Sequence, residues 1–201
     1  MDLTHEIKYG YPHKSIAGTD EAGRGSWAGP VVAAAIILPA AIPESLLAQL
    51  NDSKKLTHKK REELFVPLQE YAHGIGSADE TEIDDINILQ ASLLAMKRAV
   101  AALPQSPDHI LVDGNKLPAW DYTATALIKG DALSPSIAAA SILAKVTRDR
   151  IMIELDTQYP VYQWASNKGY GVKSHRAGLA RDGVSPHHRR SYAPIRNILG
   201  A

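Results

Sequence analysis

Ile16-Ala17-Gly18-Thr19-Asp20-Glu21-Ala22-Gly23-Arg24-Gly25, followed shortly by Val31-Val32-Ala33-Ala34-Ala35-Ile36-Ile37-Leu38, reads as strand, sharp loop, strand. The first run is short and apolar up to an acidic pair, and the glycines flanking Arg24 break the chain there. The second is a continuous apolar run rich in β-branched residues, as expected of a buried strand, and Pro39 and Pro43 end it. A buried strand thus delivers two carboxylates to a glycine-rich loop.

Outward from this core the chain alternates. Residues 44–50 and 59–71 read as short helices separated by a polar loop, Asn51-Asp52-Ser53-Lys54-Lys55, and 74–78 as a third strand. Apolar positions near helical spacing predict a helix over 87–103, ended by Pro104. Residues 109–112 form a short strand running into Asp113-Gly114, and a strand over 123–128 ends at Gly130-Asp131. Ser134 with Pro135 is a cap and first-turn pair for the longest helix, which runs to about residue 158. Loop and one or two short helices follow, with Gly183 as a C-cap and Ser185-Pro186 as a restart. Strands alternating with helices indicate an α/β layer fold.

A chain of 201 residues fits one large domain, or one domain with a small appendage. The absence of cysteine excludes disulfides, thiolate zinc sites and a cysteine nucleophile, and is compatible with a reducing cytoplasm. The N-terminus shows no leader pattern, and the longest apolar run is too short and too broken to span a bilayer, so a soluble cytoplasmic protein is expected. Net charge is zero, but residues 161–201 carry seven basic side chains against Asp182 alone, leaving fifteen basic and twenty-one acidic groups in the first 160. An acidic body with a basic C-terminal segment suggests one face that holds cations and another that grips an anion; a solvated basic tail is the plainer alternative.

Asp20 and Glu21, Asp113, and Asp131 all lie at the ends of strands, where side chains of α/β sheets converge on a crevice. Two carboxylates about 4 Å apart repel by roughly 4 kcal/mol at an effective dielectric near 20. Such a cluster persists if a group protonates or a cation sits among the charges. Oxygen-only ligands favour a hard ion, Mg²⁺ or Mn²⁺, over zinc. Each acid singly is equally readable as an ordinary turn residue.

The order of motifs is more specific than their spacing. Thr19-Asp20-Glu21-Ala22-Gly23-Arg24-Gly25 with Ala28-Gly29-Pro30-Val31, Asp52-Ser53-Lys54-Lys55-Leu56, Val112-Asp113-Gly114-Asn115, Lys129-Gly130-Asp131 leading into Ile137 to Asp149, Lys168-Gly169-Tyr170-Gly171, and Pro186-His187-His188-Arg189-Arg190-Ser191-Tyr192-Ala193-Pro194 follow one another across residues 17–194. Together they resemble the ribonuclease HII family. The resemblance implies a ribonuclease H-like fold: a mixed central β-sheet flanked by helices, with residues 1–158 as the catalytic domain and 159–201 as a small helical, basic segment packed on it in one structural unit. It implies a metal-dependent endoribonuclease that hydrolyses the RNA strand of RNA–DNA hybrids and cuts 5′ of single ribonucleotides in DNA, leaving 3′-OH and 5′-phosphate.

The same resemblance assigns catalysis and metal binding to Asp20, Glu21, Asp113 and Asp131, with two Mn²⁺ or Mg²⁺ ions in the substrate complex. Gly23, Arg24 and Gly25 would approach the sugar, Tyr170 would read the ribonucleotide at an RNA–DNA junction, and Ser53 and Lys54 would lie near the phosphate. Lys145 and Arg148, one turn apart, would share a helix face toward substrate, with a solvated face or a structural ion pair as the equal alternative. His175 is a candidate for assisting proton transfer, with a surface or packing role as the plainer reading, and Arg189 and Arg190 are candidates for phosphate contact or for docking the C-terminal segment. A monomer is expected. Ser26-Trp27 and Val172 depart from the family, which often has smaller or proline-containing residues at the former and threonine at the latter. On the residues alone, another nuclease of the same superfold or a non-catalytic hybrid-binding module remains open. A nucleotide-binding Rossmann-type protein fits less well, because Gly23-Arg24-Gly25 lacks the third glycine and a following helix.

Overall fold

The computed structural model describes residues 1–200 and centres on a five-stranded mixed sheet. Its strands are β1 (Ile16–Ala22), β2 (Val31–Ile37), β3 (Ala72–Ala78), β4 (His109–Asp113) and β5 (Ala124–Leu127), in the order β3-β2-β1-β4-β5. β1, β2 and β3 pair antiparallel; β4 and β5 continue the sheet parallel to β1. All seven residues of β2 are buried. Ala34 and Ile36 pack with one cluster, Val31, Ala33, Ala35 and Ile37 with another, as the two-residue side-chain period requires of a strand covered on both faces.

Helices α1 (Thr4–Lys8), α2 (Glu44–Leu47), α3 (His58–Leu68), α4 (Glu80–Ala101), α5 (Pro135–Gln158), α6 (Trp164–Asn167), α7 (Lys173–Asp182) and α8 (Ala193–Leu199) cover the sheet. α5 and α3 pack on one face and α4 on the other. α5 starts where predicted: the Ser134 hydroxyl accepts from the Ile137 N–H at 3.3 Å, and Pro135 occupies the first turn. The helix lies so close to β1 that a Cβ on Gly18 would fall 2.2 Å from the Ser136 carbonyl carbon.

Three expectations need correction. α4 begins seven residues earlier than predicted, at a capping box between Asp79 and Glu82, and kinks at Asn87 (φ 66°). α1 was not anticipated. It has no apolar stripe, and its one buried residue is Glu6, whose Oε1 accepts from the Ser136 N–H and from the hydroxyls of Ser134 and Ser136 at the start of α5. Ser185-Pro186 does not restart a helix; Ser185 instead binds His188, and α8 begins at Ala193.

Beyond α5, a 3₁₀ turn at Pro160–Tyr162 and helices α6 to α8 gather Tyr162, Trp164, Leu179 and Ile195 around Ala28 and Met152. The chain leaving the Gly23-Arg24-Gly25 loop is held between two parts of this segment. Trp27 N–H donates to the Gly169 carbonyl at 2.8 Å and Gly29 N–H to that of His187 at 2.9 Å, while the Trp27 carbonyl accepts from Arg189 N–H at 2.8 Å. Trp27 therefore anchors the loop, and Arg176 stacks over its ring at 5.2 Å. Val172, at the N-cap of α7, offers no side-chain cap. No helix of the described residues is long and apolar enough to cross a membrane.

Candidate active site

Parallel pairing sets Thr19 opposite Val112, so the next residues along, Asp20 on β1 and Asp113 on β4, emerge side by side at the same end of the sheet. Asp113 Oδ1 accepts from the Gly130 N–H at 2.7 Å, which ties the turn carrying Asp131 to the end of β4. Asp20 is buried and its Oδ1 accepts the Glu21 N–H at 2.7 Å. Burial, then the charges of Glu21 and Asp113, push the Asp20 carboxyl well above the usual carboxylate range. Glu21 is raised by burial and by Asp113 against the opposing pull of Arg24, and Asp131 is raised by burial, Asp113 and Asp52. The four acids therefore share one electrostatic site.

Two cations balance it. Arg24 Nη1 lies 3.2 Å from Glu21 Oε1, and Lys54 Nζ lies 3.8 Å from Asp131 Oδ2. Burial alone would lower the Lys54 ammonium, yet the combined field of Asp20, Asp52, Asp131 and Asp113 raises it. Among the described residues, no three acidic or imidazole side chains already close to ligand spacing. The donor set nevertheless fits a hard divalent cation: it is all oxygen, mutually repelling, and strong enough to stabilise the charge of a nearby ammonium. Asp52, which the sequence reading passed over as an acid, belongs to this field; its signal lay within the quoted Asp-Ser-Lys-Lys stretch.

A cleft of about 360 Å³ joins Glu21 and Asp113 to the glycine loop, while Asp20 and Asp131 are buried and do not line it. Glu21 and Asp113 share it with Gly23, Arg24 and Gly25, and Ser53, Lys54, Lys145 and Tyr170 complete its lining. Tyr170 is 39 % exposed, and its Cε1 lies 3.7 Å from where a Cβ on Gly25 would stand. Gly23 adopts φ +99°, and a side chain there would strike the Arg148 guanidinium. Lys145 pairs with Asp149 at 2.7 Å, and the Ser53 N–H donates to the Ser141 hydroxyl at 3.2 Å. A larger groove of about 610 Å³ along α4 is lined by Ile86, Leu89, Leu93 and Pro118 without any carboxylate, so it has nothing to hold a cation.

Arg148 differs from expectation, and at Arg189 and His175 the structure decides between two readings. Arg148 is fully buried rather than facing the cleft beside Lys145; its guanidinium donates to the carbonyls of Pro30, Lys168 and Ala28 at 2.9, 2.9 and 3.1 Å. Arg189 is likewise buried and docks the C-terminal segment, donating to the carbonyls of Gly29 and Arg24. These two side chains hold the glycine loop in place. His175 is fully buried too, which removes it from proton transfer in the cleft.

The family model for ribonuclease HII matches residues 17–195. A ribonuclease HII of Desulfitobacterium hafniense is 57 % identical over 192 residues, spanning 94 % of this chain and 72 % of that protein. The ribonuclease H2 of Pyrococcus horikoshii OT3 superposes with a TM-score of 0.75 at 28 % identity, over 92 % of this chain and 96 % of that one. Bst ribonuclease HIII, solved in complex with Mn²⁺, shares the fold at a TM-score of 0.74 and 21 % identity, over 93 % and 70 %.

Proposed function

The chain belongs to the ribonuclease HII family, and on that premise we propose that it is a metal-dependent endonuclease that hydrolyses the RNA strand of RNA–DNA hybrids and incises DNA 5′ of a single embedded ribonucleotide, leaving 3′-OH and 5′-phosphate. The observation that carries this reading is the meeting, in one cleft, of Glu21 and Asp113, the carboxylates that repel buried Asp20, with a backbone loop and a tyrosine suited to a sugar edge.

Asp20, Glu21, Asp113 and Asp131 would hold the divalent ions, two of them with substrate bound; the Mn²⁺ of the structurally similar Bst enzyme supports the ion class. Bound by these four carboxylates, the ions would supply Lewis-acid charge for activating water and for stabilising the departing 3′-oxygen. The chain's own side chains position the substrate, and in phosphoryl transfer positioning and charge supply most of the catalysis. Gly23 and Gly25, lacking Cβ atoms, let the backbone approach the ribose, whose 2′-hydroxyl alone distinguishes RNA from DNA at that point. Tyr170 closes the opposite side of the gap. Lys54 and Ser53 lie beside the acids where the scissile phosphate would pass, and Lys145, paired with Asp149 in this structure, would turn to the substrate backbone at the rim. Arg24, paired with Glu21 in this structure, would contact the substrate backbone. The reading also takes the protein to act as a cytoplasmic monomer, with residues 159–201 an integral part of the catalytic unit.

The test is a labelled DNA duplex carrying one ribonucleotide, incubated with Mg²⁺, with Mn²⁺ and with chelator. The expected product is a single metal-dependent cut 5′ of the ribonucleotide, with no cleavage of the all-DNA duplex. Comparable cleavage of all-DNA duplex would instead assign the protein to another activity of the same superfold.

A further inference from the structure

Two fully buried histidines outside the cleft, His175 on α7 and His188 in the C-terminal segment, are fixed in opposite tautomers by neighbours that can only donate. The Ser185 N–H donates to His188 Nδ1 at 2.9 Å, so that nitrogen carries no proton. The Trp164 indole N–H donates to His175 Nε2 at 3.1 Å, so that one is bare as well. His188 Nε2 lies 2.9 Å from His175 Nε2 and must therefore carry the shared proton. His175 Nδ1 then carries the other and donates it to the Tyr170 carbonyl at 3.1 Å. Two neutral rings thus form one directed chain, from Ser185 through His188 and His175 to Tyr170.

The chain ends on the backbone of the aromatic residue that faces Gly25. The Tyr170 carbonyl accepts from the Val172 N–H at 2.8 Å, and its own N–H donates to the Asn167 carbonyl at 3.0 Å, so the His175 bond completes a fully held peptide beneath an exposed ring. Apolar side chains could fill the same space, but they would leave the Trp164 and Ser185 N–H groups unpartnered in the interior. Backbone at Tyr170 and Gly169 favours a charged His175 and backbone at Ser185 a charged His188, but burial outweighs both. Arg176 and Lys173 share α7 with His175, Tyr162 packs edge-on to both rings, and His187 and Arg189 flank His188. On α4, Glu80 is paired with His187 at 3.3 Å. Burial, then the neighbouring His175, lower His188 to about 3, and burial lowers His175 as well.

We propose that His175 and His188 are positioning residues that act as a neutral pair, holding the Tyr170 ring against the Gly23-Arg24-Gly25 loop through the Tyr170 carbonyl. This rests on Tyr170 being the residue that reads the ribonucleotide.

The decisive experiment is a double-mutant cycle on the one-ribonucleotide duplex with wild-type protein, Tyr170→Ala, His175→Leu and the double variant, with His175→Asn as the conservative replacement. His175→Leu should lower kcat by about ten-fold with little change in KM. His175→Asn, which keeps an N–H within reach of the Tyr170 carbonyl, should recover most of that loss. In the Tyr170→Ala background His175→Leu should cost nothing further. An undiminished loss in that background overturns the inference while leaving Tyr170 in its role. A Tyr170→Ala enzyme with wild-type cleavage overturns both. If the leucine variant does not fold, ¹⁵N imidazole spectra of the wild-type protein decide. His175 as the Nδ1–H tautomer and His188 as Nε2–H, unchanged from about pH 8 to 5, support the pair, since a free imidazole titrates near 6.5. A ring that titrates in that range, or the reverse tautomer, overturns it.

Discussion

Asp20 is 3 % exposed and has one hydrogen-bond donor, the Glu21 N–H, set against burial and two neighbouring carboxylates. Its pKa in the folded protein lies above the value of about 3.9 expected when unfolded. The folded state therefore binds that proton more tightly, and stability falls as pH rises through the raised folded pKa. At neutral pH the charge destabilises the fold unless a cation accompanies it. Asp20→Asn should consequently melt higher than wild type in chelator at neutral pH. A relief of ~1 kcal/mol corresponds to about 2–4 °C for a domain of this size. The gap should narrow in acid, where the wild-type carboxyl is protonated, and cleavage in Mg²⁺ should be lost throughout. A variant that melts lower than wild type at neutral pH would show that the carboxylate is not held against repulsion. Residues of this kind were legible in the sequence because strand ends are legible: once β1, β4 and the Gly130 turn are located, parallel pairing brings Asp20, Asp113 and Asp131 together.

Elements were legible where a local signal and a periodic one coincided, as at Ser134-Pro135, and obscure where polarity concealed the period. The first turns of α4, Glu80-Thr81-Glu82-Ile83-Asp84-Asp85, show too few apolar residues to reveal a helix. Yet Asp84 works there, accepting from the N–H groups of Arg190 and Ser191 at 2.8 and 2.9 Å and so tying the C-terminal segment to α4. Helical spacing says that Lys145 and Arg148 share a side of α5 but not which way that side faces, and in a helix buried over most of its circumference the difference decides function. Arg148 faces inward and is pushed down to about 10 by burial first and by Arg189 next, and its three carbonyl partners lie on two separate segments. Arg148→Lys keeps the charge but cannot span Ala28, Pro30 and Lys168 with one ammonium. Leaving one or two buried carbonyls unpartnered should cost about 2–4 kcal/mol, measured as a lowered urea midpoint. Proteolysis should first appear in residues 23–29, since that loop loses its support. A midpoint within experimental error of wild type would mean that the guanidinium fork is not what holds the loop.

Across the whole molecule, the basic C-terminal segment that offset an acidic body in the sequence turns out to be only partly available to a polyanion. Of its seven cations, Arg189 is buried, Arg176 lies over Trp27, Arg181 pairs with Asp182 at 2.9 Å, and Lys168 donates to the Ala165 carbonyl. Lys173, Arg190 and Arg196 remain exposed without a carboxylate partner among the described residues. Counterion release makes log affinity fall with log salt by about 0.9 per phosphate neutralised on a duplex. In the absence of divalent ion Arg24, Lys54 and Lys145 stay paired with Glu21, Asp131 and Asp149, so the three available cations predict a slope near −3, and raising salt from about 50 to 200 mM should weaken hybrid binding by roughly fifty-fold, whereas all seven of the segment would give a loss in the thousands. Anisotropy titrations of a labelled hybrid in chelator, where the acids hold no divalent ion, isolate this contribution. Arg190→Gln should reduce the slope by about one, whereas Arg189→Gln should lower the melting temperature, because its guanidinium is committed to the carbonyls of Gly29 and Arg24. A slope near −6 would show that cations paired in this structure, those of the cleft or those of the C-terminal segment, are released to the nucleic acid on binding, and an unchanged melting temperature of the Arg189→Gln complex would assign the release to the segment.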